Sequence, residues 1–491
     1  MGVEVKTQPV GLGRICWGVK RGKRFVCGEP VTDEAVIEEV KGLVEELRGR
    51  VKKHRNKLED ASFIDGLINL LEQWLEEHKN DRGRKVREAR KVVGKMIELL
   101  RKLKKKWIEK YWRQLLELMD LLEKNATEII VTGRNNGEES LVAHIYNKDV
   151  AVAIDKAATS ESIIIWLSLS RSEGDDVKIS STFSNEEILR TVQYGWELTD
   201  GGINRKHPAM GTSQPWQTVL WSLTYPGEIH MLISGIGINE DEISVKWYLT
   251  ANDHEAKPRE EIVEEIKKLD IESLKAFLAP AIWGDGNVSV DKKSIKLIMG
   301  LAKYELWLGI IERMINELGF AMYPKDYIVE IEACSSNAVK LARDWLAMRD
   351  VKELIELGSD LGGEKLKRII ELASKEIKKL GSSSINIPGT IISMTVNVRS
   401  DCRVELRTKR KSENEALRII EELRRAGYEV TKYVKSEGHV VLITHANIRD
   451  NPKLKPLVCG KLSEWLNEKK DERMKKRIAT AMQNLKCFNN A

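Results

Sequence analysis

The chain has 491 residues, enough for two to four domains with sizeable cores. It contains no run of eighteen apolar residues and no apolar amino-terminal stretch of signal-peptide length, so we expect a soluble cytoplasmic protein without a membrane span. The six cysteines form no CxxC pair and no Cys/His cluster with zinc-ligand spacing, so no structural zinc is expected. The sequence does not decide whether disulfides form. Intracellular proteins of hyperthermophiles contain them, and a charged fraction of 32% is typical of such proteins.

The positive charge is concentrated in the last quarter of the chain. The net charge is +6 overall. Residues 257–380 carry 21 Lys and Arg against 22 Asp and Glu, whereas residues 381–491 carry 22 against 13. The resulting net charge of +9 in the last segment favours a polyanionic partner.

Helix signal dominates the first quarter of the chain. Residues 1–30 form an irregular lead, and apolar side chains then recur at helical spacing through 31–127. This spacing predicts two or three long amphipathic helices that form a hairpin or coiled coil. The basic and aromatic stretch 101–113 fits either a nucleic-acid-binding helix or, more commonly, an amphipathic helix with its lysines in water.

The period of the pattern changes from helix to strand in residues 128–256. Short β-like runs alternate there with turns rich in Gly, Asn and Asp, and one helix is expected at 185–195. This segment predicts a β-rich domain built on an antiparallel sheet.

In the remaining residues, the same order of predicted elements, αββαβα, occurs twice. The first copy spans 257–380 and the second spans 381–491, with its leading helix at 364–380. The chain is therefore expected to be α+β, with helices first, a β-rich domain in the middle and a duplicated αββαβα domain last.

An agreement in spacing supports the duplication. In each copy a helix ends at a glycine, Gly319 or Gly427. Counting back from these two glycines brings Lys303 and Lys411 to the same position.

The second copy contains strands with a basic face. Charged residues alternate along 403–411, and Arg399 lies at the end of the preceding strand. Such a face fits the phosphates of duplex DNA, and the alternative is a solvated sheet face. The predicted DNA-binding residues are Arg399, Arg403, Arg407, Lys409 and Lys411.

Residues 277–286 form an apolar, small-residue helix that stops at Gly284-Asp285-Gly286. The carboxylate of Asp285 lies at the carboxyl end of this helix, where the helix dipole disfavours negative charge. A bound metal ion would compensate, and an ordinary capped turn is the alternative.

This decapeptide resembles the LAGLIDADG signature of homing endonucleases and intron maturases, a family built on the duplicated αββαβα unit. The resemblance covers about residues 270–475 and rests on Leu278, Ala279, Ile282, Asp285 and Gly286. It implies that Asp285 is a ligand of a catalytic Mg²⁺ and that Lys303 helps to order the attacking water.

The chain departs from the motif in three ways. Pro280 replaces the glycine of the motif, and Trp283 replaces its first aspartate. No Asp or Glu occurs in 377–400, so the second copy supplies no matching carboxylate, and two catalytic aspartates would require two chains paired through their 271–284 helices. We therefore expect a non-catalytic protein that binds double-stranded DNA through a degenerate LAGLIDADG-like domain and needs no cofactor.

Two alternatives stay open. The chain is an active Mg²⁺-dependent endonuclease that uses Asp285, or it is an assembly protein that forms homodimers through the helices of 31–127. The whole chain also resembles the Pyrobaculum paralogous-repeat (PaRep) proteins of hyperthermophilic archaea, second group, b type. That resemblance rests on 195–202, 211–217, 302–309 and 481–488, and the family has no established activity.

Overall fold

The computed structural model describes most of the chain. The described residues are 14–22, 24–133, 140–157, 163–169, 174–324, 328–376, 383–390, 392–410, 412–435, 438–468 and 471–487. Two compact units are present, 1–375 and 376–491. Both combine helices with largely antiparallel sheets, which confirms the expected α+β class. None of the described helices is long and apolar enough to cross a bilayer.

The first unit begins with two strands and a layer of helices. These are β1 (Ile15–Arg21), β2 (Arg24–Pro30), α1 (Glu34–Lys53), α2 (Arg55–Glu59), α3 (Ser62–Glu77), α4 (Arg84–Lys106), a π-helical turn (Trp107–Tyr111) and α5 (Trp112–Glu123). A run of strands follows: β3 (Ile129–Gly133), β4 (Ser140–Asn147), β5 (Val150–Ala157), β6 (Ile163–Leu169) and β7 (Gly174–Ile179).

The remainder of the first unit consists of two successive mixed segments. The earlier one contains α6 (Glu186–Glu197), β8 (Gly201–Asn204), β9 (His207–Thr212), α7 (Pro215–Thr224), β10 (Gly227–Ile238), β11 (Ile243–Ala251) and α8 (Arg259–Ile266). The later one contains α9 (Ile271–Asp285), β12 (Gly286–Ser289), β13 (Ser294–Gly300), α10 (Leu301–Leu318), β14 (Ala321–Pro324), β15 (Ile328–Cys334) and α11 (Ser336–Ala347). Two more helices, α12 (Arg349–Asp360) and α13 (Glu364–Ser374), complete the unit.

These two segments have the same topology. Strands of the earlier segment lie in the order β8-β9-β11-β10, at one end of an eleven-stranded sheet that continues through β6-β5-β4-β3-β1-β2, with β7 paired to β10. Strands of the later segment form a separate sheet in the matching order β12-β13-β15-β14. We call the segments 186–266 and 271–347 the paired halves. Each is αββαββα. In the later half the sequence predicted three strands, and it missed β14 because so short a strand leaves almost no alternation to detect.

The second unit contains this strand arrangement once more. It is built from β16 (Ser384–Asn386), β17 (Ser393–Val398), β18 (Val404–Arg410), α14 (Glu413–Arg425), β19 (Thr431–Lys435), β20 (Gly438–Ile443), α15 (His445–Asp450), α16 (Leu454–Glu468) and α17 (Glu472–Asn484). Its sheet order is β16-β17-β18-β20-β19. The unit has its own core, in which Leu406, Val441 and Leu462 are buried.

The predicted leading helix of the second copy, 364–380, belongs elsewhere. Its described part is α13, which packs on α11 and α12 of the first unit. Leu366, Ile369 and Leu372 anchor α13 in the core of that unit, so 381–491 is not a complete second copy. The partner of the segment around Asp285 is the earlier paired half, which the sequence analysis assigned to the β-rich domain.

Of the predicted hairpin or coiled coil, α3 and α4 do pack on each other across the break at 78–83, but they do not form an isolated coiled coil. Helix α4 buries Val92, Val93, Met96 and Ile97, a wider face than a two-stranded coiled-coil seam requires. It packs against α3, α7 and β7. Because one core continues from these helices through both paired halves, the expected boundaries near 127 and 256 do not separate independent cores. Trp107 is fully buried in this core.

The question of disulfides is answered by the structure. Cys16 and Cys27 join β1 to β2, and Cys459 and Cys487 join α16 to the residues after α17. Both bonds close local hairpins, so they reduce the freedom of the unfolded chain at the two ends of the described sequence.

Helices α6 and α9 make the closest contact between the paired halves. A Cβ at Gly195 of α6 would lie 2.3 Å from Pro280 Cγ and 2.4 Å from the carbonyl oxygen of Phe277, both on α9. Pro280 lies inside α9 and is itself buried. The small residue on α6 therefore lets the proline-containing helix approach at backbone distance.

We predict that Gly195→Ala destabilises the first unit by about 1–3 kcal/mol, because the new methyl group overpacks this contact. The matched control is Gly94→Ala in α4, where a Cβ meets no atom within 4 Å. That control is expected to gain about 0.5–1 kcal/mol from helix propensity. Urea unfolding of both variants measures the difference, and equal midpoints would contradict the close α6–α9 contact.

Candidate two-carboxylate centre

The centre lies where α6 and α9 end. The same dipeptide lies at each end: Asp285 is the last residue of α9 and Gly286 follows it, and Asp200-Gly201 follows α6 after two intervening residues. A Cβ at Gly284 would lie 2.9 Å from Asp200 Oδ2, so the two helix ends are in contact. The two aspartates are thus brought together within one chain.

The proximity of the two carboxylates affects their ionisation. Burial raises the pKa of Asp200, and the neighbouring charge of Asp285 raises it further. The positive charge of Lys365 and a hydrogen bond from Gln217 act in the opposite direction on this pKa. A carboxylate pair of this kind is unfavourable without a cation close by.

Each aspartate has a partner from the equivalent position of its own half. Gln217 Nε2 donates to Asp200 Oδ2 at 2.9 Å, and Lys303 Nζ forms an ion pair with Asp285 Oδ2. Gln217 is the third residue of α7 and Lys303 the third residue of α10, the helices that follow the second strand of each half. The centre therefore has approximate two-fold symmetry in its side chains as well as in its helices.

A hydroxyl group fixes the orientation of the Gln217 amide. Thr212 Oγ1 donates to Gln217 Oε1, so the amide oxygen is occupied and the Nε2 group points to Asp200. Trp221 and Trp307, four residues beyond the two partners, are fully buried and hold α7 and α10 in place.

A second lysine, Lys365, belongs to α13 and lies at the end of α9. Lys365 Nζ donates to the carbonyl oxygens of Ile282, Trp283 and Gly284 at 3.2, 2.7 and 2.9 Å, which caps the carboxyl end of α9. Burial lowers the pKa of Lys365, while the charges of Asp200 and Asp285 raise it. Lys303 and Lys365 together offset the two carboxylates.

The donor set also fits a divalent cation. Asp200 and Asp285 supply carboxylate oxygens from two helix ends, and Mg²⁺ is commonly bound by one or two carboxylates while it keeps several waters. Across the described ranges, no cluster of three or more His, Cys, Asp or Glu residues could hold a metal ion. A magnesium site here would therefore depend on the two aspartates.

The sequence prediction placed Asp285 and Lys303 together, and they form an ion pair in the structure. The sequence analysis missed Asp200, because the segment before it matches the LAGLIDADG signature only at Gly195, Asp200 and Gly201. The usable signal was spacing: four residues separate Gly195 from Asp200, and four separate Pro280 from Asp285. Pairing of two chains through 271–284 is excluded, since residues 273–283 are buried within one chain.

Basic side chains lie at the tips of the first hairpin of each half. Arg205 and Lys206 connect β8 to β9, and Lys292 and Lys293 precede β13. Each turn contains one residue with positive φ, Arg205 at 59° and Lys293 at 48°. Arg205, Lys206 and Lys292 are exposed.

The predicted basic face of the second unit is partly neutralised. Glu405, which is buried, accepts hydrogen bonds from Arg399 Nη1 at 2.9 Å and Arg407 Nε at 2.7 Å. Arg403 lies 3.5 Å from Asp401, while Lys409 is exposed. The remaining predicted residue, Lys411, lies outside the described residues.

We predict that Asp200→Asn removes a pH dependence of stability. The raised pKa of Asp200 means that its contribution to wild-type stability is fully present below its ordinary pKa of 3.8 and is lost as the pH rises through the raised value. Asp200→Asn has no charge to bury, so we expect it to be more stable than the wild type at pH 8 and equal to it near pH 3.5.

Urea unfolding at both pH values measures this effect. Asp291→Asn, at an exposed position before β13, is the matched control and should differ little from the wild type at either pH. A stability difference for Asp200→Asn that does not change with pH would contradict the buried carboxylate pair.

Comparisons with known proteins add little to this geometry. No protein-family model matches the chain, and no curated protein matches it. Among solved structures, full-length DUF199/WhiA from Thermatoga maritima aligns with 63% of this chain and 95% of its own, at 10% identity and a TM-score of 0.23.

Proposed function

We propose that the chain binds double-stranded DNA through the paired halves of the first unit. The observation that carries this proposal is the approximate two-fold arrangement of 186–266 and 271–347 around Asp200 and Asp285. The two strands of duplex DNA are themselves related by two-fold axes, so two equivalent halves can make equivalent backbone contacts on both strands.

The basic hairpin tips provide the phosphate contacts in this proposal. Arg205 and Lys206 lie in the β8–β9 turn of one half, and Lys292 and Lys293 lie in the β12–β13 turn of the other. Contacts of this kind fix the position of a protein on DNA, depend strongly on salt and carry little sequence information. The net charge of +9 in 381–491 adds a further sequence-independent attraction.

We propose that this binding occurs without cleavage. The two carboxylates of the centre already have two ammonium groups close by, from Lys303 and Lys365. Lys365 is fixed by three carbonyl oxygens of α9, so it remains beside the aspartates in the absence of any ligand. A resident positive charge lowers the affinity of the pair for a metal ion.

Metal-dependent phosphodiester hydrolysis is the second candidate, and Asp200 favours it. The sequence-based objection was that one chain supplies only one carboxylate, whereas Asp200 lies beside Asp285 in the same chain. These two residues would hold Mg²⁺, which would stabilise the attacking and leaving oxygens when bound. Lys303 Nζ, next to Asp285, would orient a water molecule or a phosphate oxygen by donating a hydrogen bond.

We predict that full-length protein binds mixed-sequence duplex DNA with an affinity that falls linearly on a log–log plot against salt. Replacing Arg205 and Lys206 by alanine should reduce the slope by about 2, because each phosphate contact contributes about 1. The matched control replaces Lys52 and Lys57, exposed lysines of the helical layer, and should leave the slope unchanged. Fluorescence anisotropy between 50 and 400 mM salt measures the slopes. Binding that is absent, or insensitive to salt, would contradict the proposal.

The same samples, incubated with Mg²⁺ and separated on a denaturing gel, distinguish the two candidates. Intact DNA is the outcome expected for binding without cleavage. If the wild type cuts the DNA and both Asp200→Ala and Asp285→Ala do not, the protein is a metal-dependent nuclease and the proposal of binding without cleavage is wrong. Each variant should keep its salt-dependent binding, which shows that loss of cutting is not loss of fold.

A further inference from the structure

The large sheet has a shallow trough on the face opposite its core, centred on strands that precede the paired halves. His144 on β4 lies directly opposite Ala153 on β5, and Ala153 lies opposite Trp166 on β6. Directly opposed residues of antiparallel strands point to the same face, so two aromatic side chains flank an alanine floor. The strands that carry the rings are two strand spacings apart, about 9.5 Å.

The His144 rim is held in place by its neighbours. The ring of Phe25 stacks on His144 with centroids 4.9 Å apart and an angle of 28° between the rings. Thr132 Oγ1 lies 3.0 Å from His144 Nε2. A Cβ at Gly18 would lie 3.3 Å from Phe25 and 2.7 Å from Thr132, so the glycine leaves room for this stack.

The Trp166 rim is fixed in a similar way. A Cβ at Gly237 would lie 2.7 Å from Trp166 Cζ3, so only glycine lets the indole rest against the sheet. Lys246 Nζ lies over this ring, 4.3 Å from its centroid. Both rims are therefore preorganised aromatic surfaces.

One charged side chain lies toward each end of the trough. Asp155, two residues beyond Ala153 on the same strand and face, has a buried Oδ1 atom that accepts no hydrogen bond from the described residues, and its charge acts on the neighbouring His144. In the other direction along the strands, Ala151 lies opposite Ser168, Ser168 opposite Gly235, and Gly235 opposite Lys246. No carboxylate pairs with Lys246 in the part of the chain that the structure describes, and burial lowers its pKa.

This distribution of charge selects the chemistry of an occupant. A planar ring suits the aromatic rims and the alanine floor, and stacking of a base on an aromatic side chain contributes about 1–3 kcal/mol. The carboxylate of Asp155 can accept hydrogen bonds, so the occupant should present N–H groups at that end. An ammonium group without a counter-ion accommodates an anion at the other end.

We infer that the trough between His144 and Trp166 binds a guanine nucleotide, with the N–H groups of the base at Asp155 and the phosphate at Lys246. Guanine presents two adjacent N–H donors on its Watson–Crick edge, which match the acceptor oxygens of a carboxylate. The base belongs either to a free nucleotide or to a single strand of nucleic acid. This inference does not rest on the proposed binding of duplex DNA, because neither the hairpin tips nor Asp200 and Asp285 belong to the trough.

Calorimetric titration of the full-length protein with guanosine 5′-monophosphate tests the inference. We expect the wild type to bind it, and to bind adenosine 5′-monophosphate at least about tenfold more weakly, since adenine presents an acceptor where guanine presents N1–H. Asp155→Asn should weaken binding of the guanine nucleotide by about tenfold or more. Asp176→Asn is the matched control, because Asp176 lies opposite His230 on the same sheet, and it should bind as the wild type does.

A second variant tests the floor of the trough independently of charge. Ala153→Leu fills the floor without changing charge and should abolish binding while Asp155 is retained. A thymidine 12-mer with one central guanine separates the two sources of the base. Tighter binding of this strand than of the mononucleotide identifies a strand, and equal or weaker binding identifies a free nucleotide. The inference is overturned if neither ligand binds the wild type, or if Asp155→Asn binds guanine as strongly as the wild type.

Discussion

The backbone contact between α6 and α9 is the constraint on which the rest of the first unit depends. Gly195 faces Pro280 at this contact, and the two helices carry the aspartates at their ends. A larger side chain at Gly195 would separate the helices and with them Asp200 and Asp285. The same contact fixes the relation between the two paired halves, because each half begins with one of these helices.

The electrostatics of the centre follow from that geometry. Two carboxylates brought together by packing need positive charge nearby, and the chain supplies it from two different places. Lys303 comes from the same half as Asp285, whereas Lys365 comes from α13, a helix beyond both halves. The two lysines therefore offset the negative charge of the two aspartates. The aspartates are arranged as in a metal site, whereas the lysines make the centre an internal ion-pair network.

Several parts of this account were predictable from local pattern. The charged alternation along 403–411 matches β18, and the pairing of Asp285 with Lys303 agrees with the position that the LAGLIDADG resemblance assigned to them. Asp200 was not predictable in the same way, because Tyr194, Trp196 and Glu197 replace the small apolar residues of the motif around it. Lys365 could not be predicted from any local pattern, since only tertiary packing brings this residue of α13 to the end of α9.

The most direct test of the central claim, that Asp200 and Asp285 form one centre within one chain, is a double-mutant cycle. Unfolding free energies of the wild type, Asp200→Asn, Asp285→Asn and the double variant would be measured at pH 8. The structure predicts a coupling energy of about 0.5–3 kcal/mol, since residues in contact do not act additively. Additive effects within about 0.3 kcal/mol would place the two carboxylates apart and contradict the account.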